Sequence, residues 1–379
     1  MIPISRPYIT DAEKKLVMDV LDSGWLVEGK YSQMLEREFS SYIGVKEAVT
    51  VTNGTVALQL ALEALGLKPG DEVITTAFTF VASSNAAVFI GGVPIFADIS
   101  ESTFNIDPED VRRRVTRKTR AIVAVHIFGL PCDVKALREI ADEYGLYLVE
   151  DCAQAHGATV NGRKVGSFGD VSCFSFYATK IVASGEGGLV ATNDSEIADR
   201  VRMLKNHGRG PEGGYRYYRI GYNFRMTDYA AAIALGQLRR IDEFIGVRRR
   251  NAKIILSHIE DTILDWQHVP EGYEHAYYIL ALRLPGRPAL VDRFIEELKS
   301  KGIASRRIYD IPVYRQESYI KMSEWRWARY IDYPDYSKVR LENTEEICKT
   351  HFEVPVHPMV SEEQAEYIGE SLKKISKEI

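Results

Sequence analysis

The chain has 379 residues, 45% apolar and 27% charged, which is ordinary globular usage and excludes collagen-like repeats, coiled-coil rods and wholesale disorder. Its 48 Lys and Arg against 53 Asp and Glu leave a net charge of −5, which argues against nucleic acid as the main partner because neutralising phosphates needs a basic face. Four widely spaced cysteines, Cys132, Cys152, Cys173 and Cys348, form no C-x-x-C pair, so neither a zinc site nor a disulfide framework is expected.

The segment MIPISRPYITDAEKKLV lacks the basic-then-apolar order of an export signal. The longest apolar stretch, 86–99, is interrupted by Gly91, Gly92, Pro94 and Asp98 and is too short to span a bilayer, so no membrane partner and a cytoplasmic location are expected. From Ala48 to Asn193, short β-branched runs alternate with helical patterns, as parallel strands joined by crossover helices do. The expected class is α/β, with strands at 48–52, 72–76, 93–98, 121–127, 146–151, 171–176 and 189–192 in one mostly parallel sheet. Helices are expected at 55–65, 81–89, 134–144 and 196–206, with Gly66, Gly145 and Gly208 where C-caps are wanted. Beyond Gly213 comes the tyrosine-rich stretch GGYRYYRIGYNFRMTDYA, then a long helical pattern over 227–258. A boundary near Gly246 divides a large unit, 1–245, from a smaller α+β unit, 246–379. The smaller unit is expected to hold strands at 276–284 and 351–355, helices at 290–301 and 362–375, and an aromatic loop region over 309–336.

Several motifs carry chemistry. Gly208-Arg209-Gly210-Pro211-Glu212-Gly213 matches G-x-G-x-x-G, but a dinucleotide fingerprint must follow a strand and open a helix; here a helix precedes and a Tyr-rich loop follows. Asn53-Gly54-Thr55 stands where a strand ends and an apolar helix begins, a place that serves equally as an anion site or as a plain N-cap. Glu150 and Asp151 fall at the C-terminal end of a buried strand, where ligands bind in open α/β sheets, and an acid buried there needs an opposing charge. Asp151 with His156 or His126 makes a poor metal site, having no tight ligand spacing, and no metal is expected. Lys180 follows another strand end and precedes small residues and glycines, a setting in which an amine is partly desolvated and can form a Schiff base, although an isolated lysine there reads as solvated surface.

One cofactor unites these features. Pyridoxal phosphate needs a lysine for its aldehyde, a carboxylate for its pyridinium nitrogen, donors for its phosphate and an aromatic face for its ring. Lys180, Asp151, the set Gly54, Thr55 and Ser175, and an aromatic from Ala77-Phe78-Thr79-Phe80-Val81 supply them in turn. The chain also resembles the DegT/DnrJ/StrS-type aminotransferases, which have the fold type I architecture of aspartate aminotransferase. The resemblance runs from about Pro7 to Pro358 and is carried by GWLVEGKYSQMLEREFS, TNGTVALQLAL, GDEVITTAFTFVASSNA, PIFADI, IFGLPCD, VEDCAQAHGA, GSFGDVSCFSFYATKIVASGEGG, RMLKNHG, GYNFRMTDYAAAIALGQL and VPVHP.

The resemblance implies that Lys180 is the Schiff-base lysine, that Asp151 pairs with the pyridinium, that Gln154 contacts the region of the ring hydroxyl and that Phe80 stacks on the ring. It gives Gly54, Thr55 and Ser175 to the phosphate. It also implies a homodimer in which Asn223 and Arg225 reach the neighbouring subunit's cofactor. Lysine rather than histidine at position 180 favours transamination over dehydration. The implied acceptor is a nucleotide-linked keto sugar and the implied donor glutamate. Trp25, Tyr309 and His357 are substrate-side candidates, and Lys30 marks a departure in the same loop as Trp25, where many relatives carry proline. A keto-cyclitol or sugar phosphate acceptor, or a non-catalytic protein of the same fold, are the alternatives. The aromatics over 309–336 suit either sugar stacking or an amphipathic surface. The arginines at 239, 240 and 248–250, and those at 112–114 and 117, read as solvated helix faces.

Overall fold

In a computed structural model, which describes residues 1–378, the seven expected strands assemble into one sheet. They are β1 Glu47–Val51, β2 Glu72–Thr76, β3 Val93–Ala97, β4 Thr119–Val125, β5 Tyr147–Asp151, β6 Val171–Ser175 and β7 Gly188–Thr192, in the order β1-β7-β6-β5-β4-β2-β3. The run from β3 to β6 is parallel. β7 pairs antiparallel with both β1 and β6, because a short return rather than a crossover helix joins β6 to β7.

Among the described residues, nine helices serve this sheet: α1 Asp11–Ser23, α2 Lys30–Ile43, α3 Gly54–Ala64, α4 Ala82–Phe89, α5 Pro108–Arg114, α6 Val134–Tyr144, α7 Ser195–Lys205, α8 Asp228–Leu238 and α9 Ile241–Ile259. Leu35 and Phe39 of α2, Leu137 and Ile140 of α6 and Leu235 of α8 share one core. Leu58 and Leu62 of α3, Ala86 and Ala87 of α4 and Val201 of α7 form another. The two cores cover opposite faces of the sheet, which is why the strands read as unbroken apolar runs.

The helical pattern over 227–258 is two helices, not one. Arg240, at φ −117° and ψ 9°, leaves helical geometry and separates α8 from α9. From there α9 runs on unbroken through Gly246, with Phe244 and Ile245 in the core of the large sheet and Ala252, Ile255 and Ile259 in a separate C-terminal core. The change of core thus falls inside one helix.

The C-terminal core is built on an antiparallel sheet of β8 Asp265–Trp266, β9 Leu280–Arg283 and β10 His351–Val354, with helices α10 Pro288–Ser300, α11 Glu342–Thr350 and α12 Glu362–Glu378. The strand expected at 276–284 shortens to β9 because Tyr277 sits at φ +47°, a left-handed conformation that ends regular pairing. The far end of the chain also reaches the N-terminal segment. Ile2 donates its N–H to the Gly302 carbonyl at 2.7 Å and accepts from Ala304 N–H at 2.9 Å.

Candidate active site

The C-terminal edge of the sheet gathers the chemistry. The Asn53 side chain, after β1, accepts the Val56 N–H at 2.9 Å, so the first N–H groups of α3, those of Gly54 and Thr55, stand at the open end of the helix. No side chain fits at position 54: a Cβ on Gly54 would lie 2.7 Å from the Ser175 Cβ. Gly188 is as tight, with a Cβ placed 2.4 Å from the Asn53 carbonyl carbon. Both close approaches bring the helix N-terminus against Ser175, whose Oγ accepts the Tyr177 N–H at 3.3 Å. The cradle of N–H groups and hydroxyl suits an anion such as a phosphate.

Asp151 ends β5 and is 5% exposed. Its carboxylate accepts from Ser83 Oγ at 2.7 Å and from the Ala153 N–H at 3.1 Å, and has no ion-pair partner among the described residues. Burial pushes its pKa up, while those two hydrogen bonds and the charge of Lys180 pull it down. An acid in this state lacks a close cation, which the protonated nitrogen of a pyridine ring supplies.

Lys180 follows β6 in the turn closed by its own N–H to the Tyr177 carbonyl, 2.8 Å. Its Nζ lies 4.5 Å from the centroid of the Tyr278 ring, and the neighbouring Thr179 hydroxyl bonds the Tyr278 hydroxyl at 2.9 Å. Gln154 accepts the Phe128 N–H at 2.8 Å and donates to the Tyr309 hydroxyl at 3.0 Å. Phe80 is 58% exposed at the edge of this region while Phe78, two residues earlier, is wholly buried among Phe104, Phe128 and His351. Of the aromatics in that segment, Phe80 therefore presents the free ring. Donor set, cradle and unpaired buried acid all fit pyridoxal phosphate.

Asn223 is exposed and bridges the backbone of Asn206, and Arg225 donates to the Asn206 side chain at 2.7 Å; neither contacts Asp151 or Lys180 within this chain. Trp25 donates to the Glu28 carbonyl at 3.1 Å and lines an open cleft with Lys30 and Asp228. His357 differs from expectation as a substrate-side group: it is 2% exposed, with Nε2 tying down the N-terminal segment at the Pro3 carbonyl and Nδ1 accepting the Met359 N–H of its own loop.

The aromatic stretch resolves mainly as core. Tyr314, Tyr319 and Tyr336 are buried around Phe96, whereas Tyr330 stays 81% exposed. The helix arginines are largely paired: Arg239 with Glu38, Arg240 with Glu243 and Arg250 with Glu362. Arg248 departs from the solvated reading altogether, being 4% exposed. Gly208–Gly213 is a loop after α7, without a following helix.

Sequence reasoning missed Ser83, Tyr278 and a buried trio beneath the site. His126, Glu150 and Cys152 bring ligand-type atoms together. Glu150 already accepts N–H groups from Gly166, Phe168 and Gly169. His126 accepts the Cys132 N–H on Nδ1 and donates from Nε2 to Glu150 at 3.1 Å. His126 and Glu150 are thereby satisfied by hydrogen bonds and work as structural support for β4 and β5.

Fold and site together define an α/β transferase of the pyridoxal phosphate class. Residues 7–373 match the model of the DegT/DnrJ/EryC1/StrS aminotransferase family, and the chain belongs to that family. It is 40% identical over 359 residues to a GDP-perosamine synthase of Vibrio cholerae, covering 92% of this chain and 97% of that one. It is 36% identical to the spore coat polysaccharide biosynthesis protein SpsC of Bacillus subtilis, covering 99% and 97%. The solved aminotransferase from Psychrobacter cryohalolentis superposes with a TM-score of 0.89 at 32% identity over all of both chains. The protein is thus a pyridoxal phosphate-dependent aminotransferase. No helix among the described residues is long and apolar enough to cross a membrane.

Proposed function

We propose that this enzyme converts the ketone of a nucleotide-linked keto sugar to an amine, with glutamate as donor, in the cytoplasm. The observation that carries the reading is the buried Asp151, without an ion-pair partner among the described residues, within reach of the Lys180 charge, in a chain whose curated relatives include a synthase named for a GDP-linked amino sugar. Guanosine diphosphate is accordingly the first nucleotide to test.

Lys180 would hold the cofactor's aldehyde carbon, Asp151 its ring nitrogen, Gln154 the edge near its hydroxyl and Phe80 its face, with Gly54, Thr55 and Ser175 around its phosphate. When bound, the cofactor supplies an electron sink for the pair released at a donor carbon. Asp151, as an anion, would pair with that ring nitrogen and favour its protonated form. Lys180 Nζ, once free, takes the proton from the donor Cα and later returns one to the acceptor carbon. Ser83 Oγ holds the Asp151 carboxylate in its orientation.

The same reading makes the enzyme a homodimer. Tyr215, Tyr217, Tyr218 and Ile220 are exposed by 86%, 52%, 60% and 91% on the loop that leads to Asn223 and Arg225, an apolar surface suited to a second copy that would take those two residues into its own site. Trp25 and Tyr309 would meet the sugar nucleotide.

The test is the visible spectrum of purified protein before and after L-glutamate, followed by a GDP-linked keto sugar. A yellow band that fades with glutamate and returns with the sugar supports the proposal. A band that fades with glutamate but responds to no nucleotide-linked ketone would remove the acceptor, and no band after addition of pyridoxal phosphate would remove the role of Lys180.

A further inference from the structure

Tyr278 belongs to the segment that leads into β9, far from the lysine motif in sequence, yet its ring lies under Lys180 Nζ at 4.5 Å from the centroid. Two further contacts fix the ring. Its hydroxyl bonds Thr179, the residue before the lysine, at 2.9 Å. Its backbone is clamped by Arg248, which donates from Nη1 to the carbonyls of Tyr277 and Tyr278, both at 3.1 Å. Arg248 is 4% exposed and makes no ion pair among the described residues, so a buried guanidinium is committed to this one stretch of backbone. Burial lowers its pKa to about 10, which leaves it charged at neutral pH. Such an expensive group, placed on two carbonyls, holds the Tyr278 ring in register with the lysine.

Two other titratable groups sense the charge of this amine. His156, which also senses Lys180, is held neutral by burial, its pKa lowered to about 3, and its two ring nitrogens have no hydrogen-bond partner among the described residues. Asp151 senses Lys180 from the end of β5, where the proposed cofactor nitrogen would engage it.

We infer that Tyr278 is a positioning residue whose ring face receives the Lys180 ammonium while the lysine is detached and carrying the substrate proton. The inference rests on the proposed use of Lys180 as the proton carrier. In that step the donor Cα–H bond breaks, an N–H bond forms on Nζ, and the electron pair leaves the donor carbon for the cofactor ring. The amine becomes a cation at that moment, and an aromatic face attracts an ammonium more than a neutral amine. Tyr278 therefore favours the lysine in the state that follows proton capture. Arg248 and Thr179 keep the face where that state needs it.

The experiment compares Tyr278→Phe, which keeps the face and drops the hydroxyl, with Tyr278→Leu, which keeps apolar bulk and drops the face. In the cofactor-free protein with lysine labelled at the ε-carbon, one ε-methylene signal should lie upfield, as a group over a ring face does. It should vanish in Lys180→Met, persist in Tyr278→Phe and return to the ordinary position in Tyr278→Leu. In single turnovers with L-glutamate deuterated at Cα, Tyr278→Leu should slow the half-reaction roughly 3- to 30-fold, the range expected for losing one cation–aromatic contact. Its isotope effect should rise, while Tyr278→Phe stays within about 3-fold of wild type.

Equal slowing in both variants would give the role to the hydroxyl and overturn the inference, as would an unshifted lysine signal in the folded wild type or Tyr278→Phe, a measurement that stands even where Tyr278→Leu does not fold. A shifted signal in a wild type that gives no half-reaction with glutamate would instead count against the proposed function.

Discussion

Asp151 shows how one side chain is destabilising alone and useful in company. Its pKa is raised because burial of the carboxylate outweighs its hydrogen bonds to Ser83 and Ala153 and the charge of Lys180. An acid whose folded pKa lies above its unfolded value costs stability as pH rises from the ordinary carboxylate range through that raised value. The cofactor-free enzyme should therefore unfold at progressively lower urea concentration as pH rises through that raised value, and Asp151→Asn should flatten the dependence and raise the midpoint above it. Added pyridoxal phosphate should recover stability in the wild type and much less in Asp151→Asn, whose transamination rate should fall at least 100-fold. Lys180→Ala should lose the visible band and the half-reaction together while keeping the fold. The strand-end residues were readable because Asp151 and Gln154, and likewise Ser175 and Lys180, sit within single motifs where residue type and spacing speak together. Ser83 and Tyr278 carried no such signal, since a serine inside a helix and a tyrosine before a strand look ordinary until the fold sets them against the carboxylate and the amine.

At the scale of the elements, α3 has two tasks that mutations can separate. Asn53 caps it through the Val56 N–H, so Asn53→Ala should cost about 1 kcal/mol of stability, measured by chemical unfolding of the cofactor-free protein. Gly54→Ala should act differently: its Cβ meets Ser175 at 2.7 Å, forcing the helix N-terminus away from β6, and pyridoxal phosphate should bind at least about 10-fold more weakly, as read by titration of the visible band. The seven strands of the sheet were legible because burial on both faces makes each a continuous apolar run. The helical stretch over 227–258 was not divided correctly, since a break at Arg239 and Arg240 requires no glycine or proline. Nor were α1, α2 and α11 anticipated, whereas the arginines of α5 were read as a helix face. Helices like α2, with apolar residues Tyr31, Leu35, Phe39 and Ile43 at helical spacing, do carry the signal, but attention to motifs passes over them. The aromatic stretch over 309–336 was ambiguous for a deeper reason: Tyr314 and Tyr319 bury their rings yet satisfy their hydroxyls on Glu345, Ser84 and Asn85, and composition does not distinguish that from a sugar platform.

Across the whole molecule, the two cores are joined by α9 rather than by a loop, and the site draws on both: Asp151, Gln154 and Lys180 from the large sheet, Tyr278 and Tyr309 from the segments around the small one. Phe39 lies at the base of the large core against His156, Phe174 and Phe176, so Phe39→Ala should remove about 3–5 kcal/mol and loosen the end of β6 that carries Ser175, with unfolding and cofactor release measured together. The pairing of Ile2 with Gly302 and Ala304, and of Pro3 with His357, has a consequence for biosynthesis. At about 5–20 residues per second, ribosomes need roughly 15–60 s to pass from residue 2 to residue 302. Once residue 192 has been added the large sheet has every strand it needs, while residues 2 and 3 still lack these partners and stay open to proteases and chaperones. Docking of residues 2 and 3 thus waits on residues 302–357, long after the strands of the large sheet are in place.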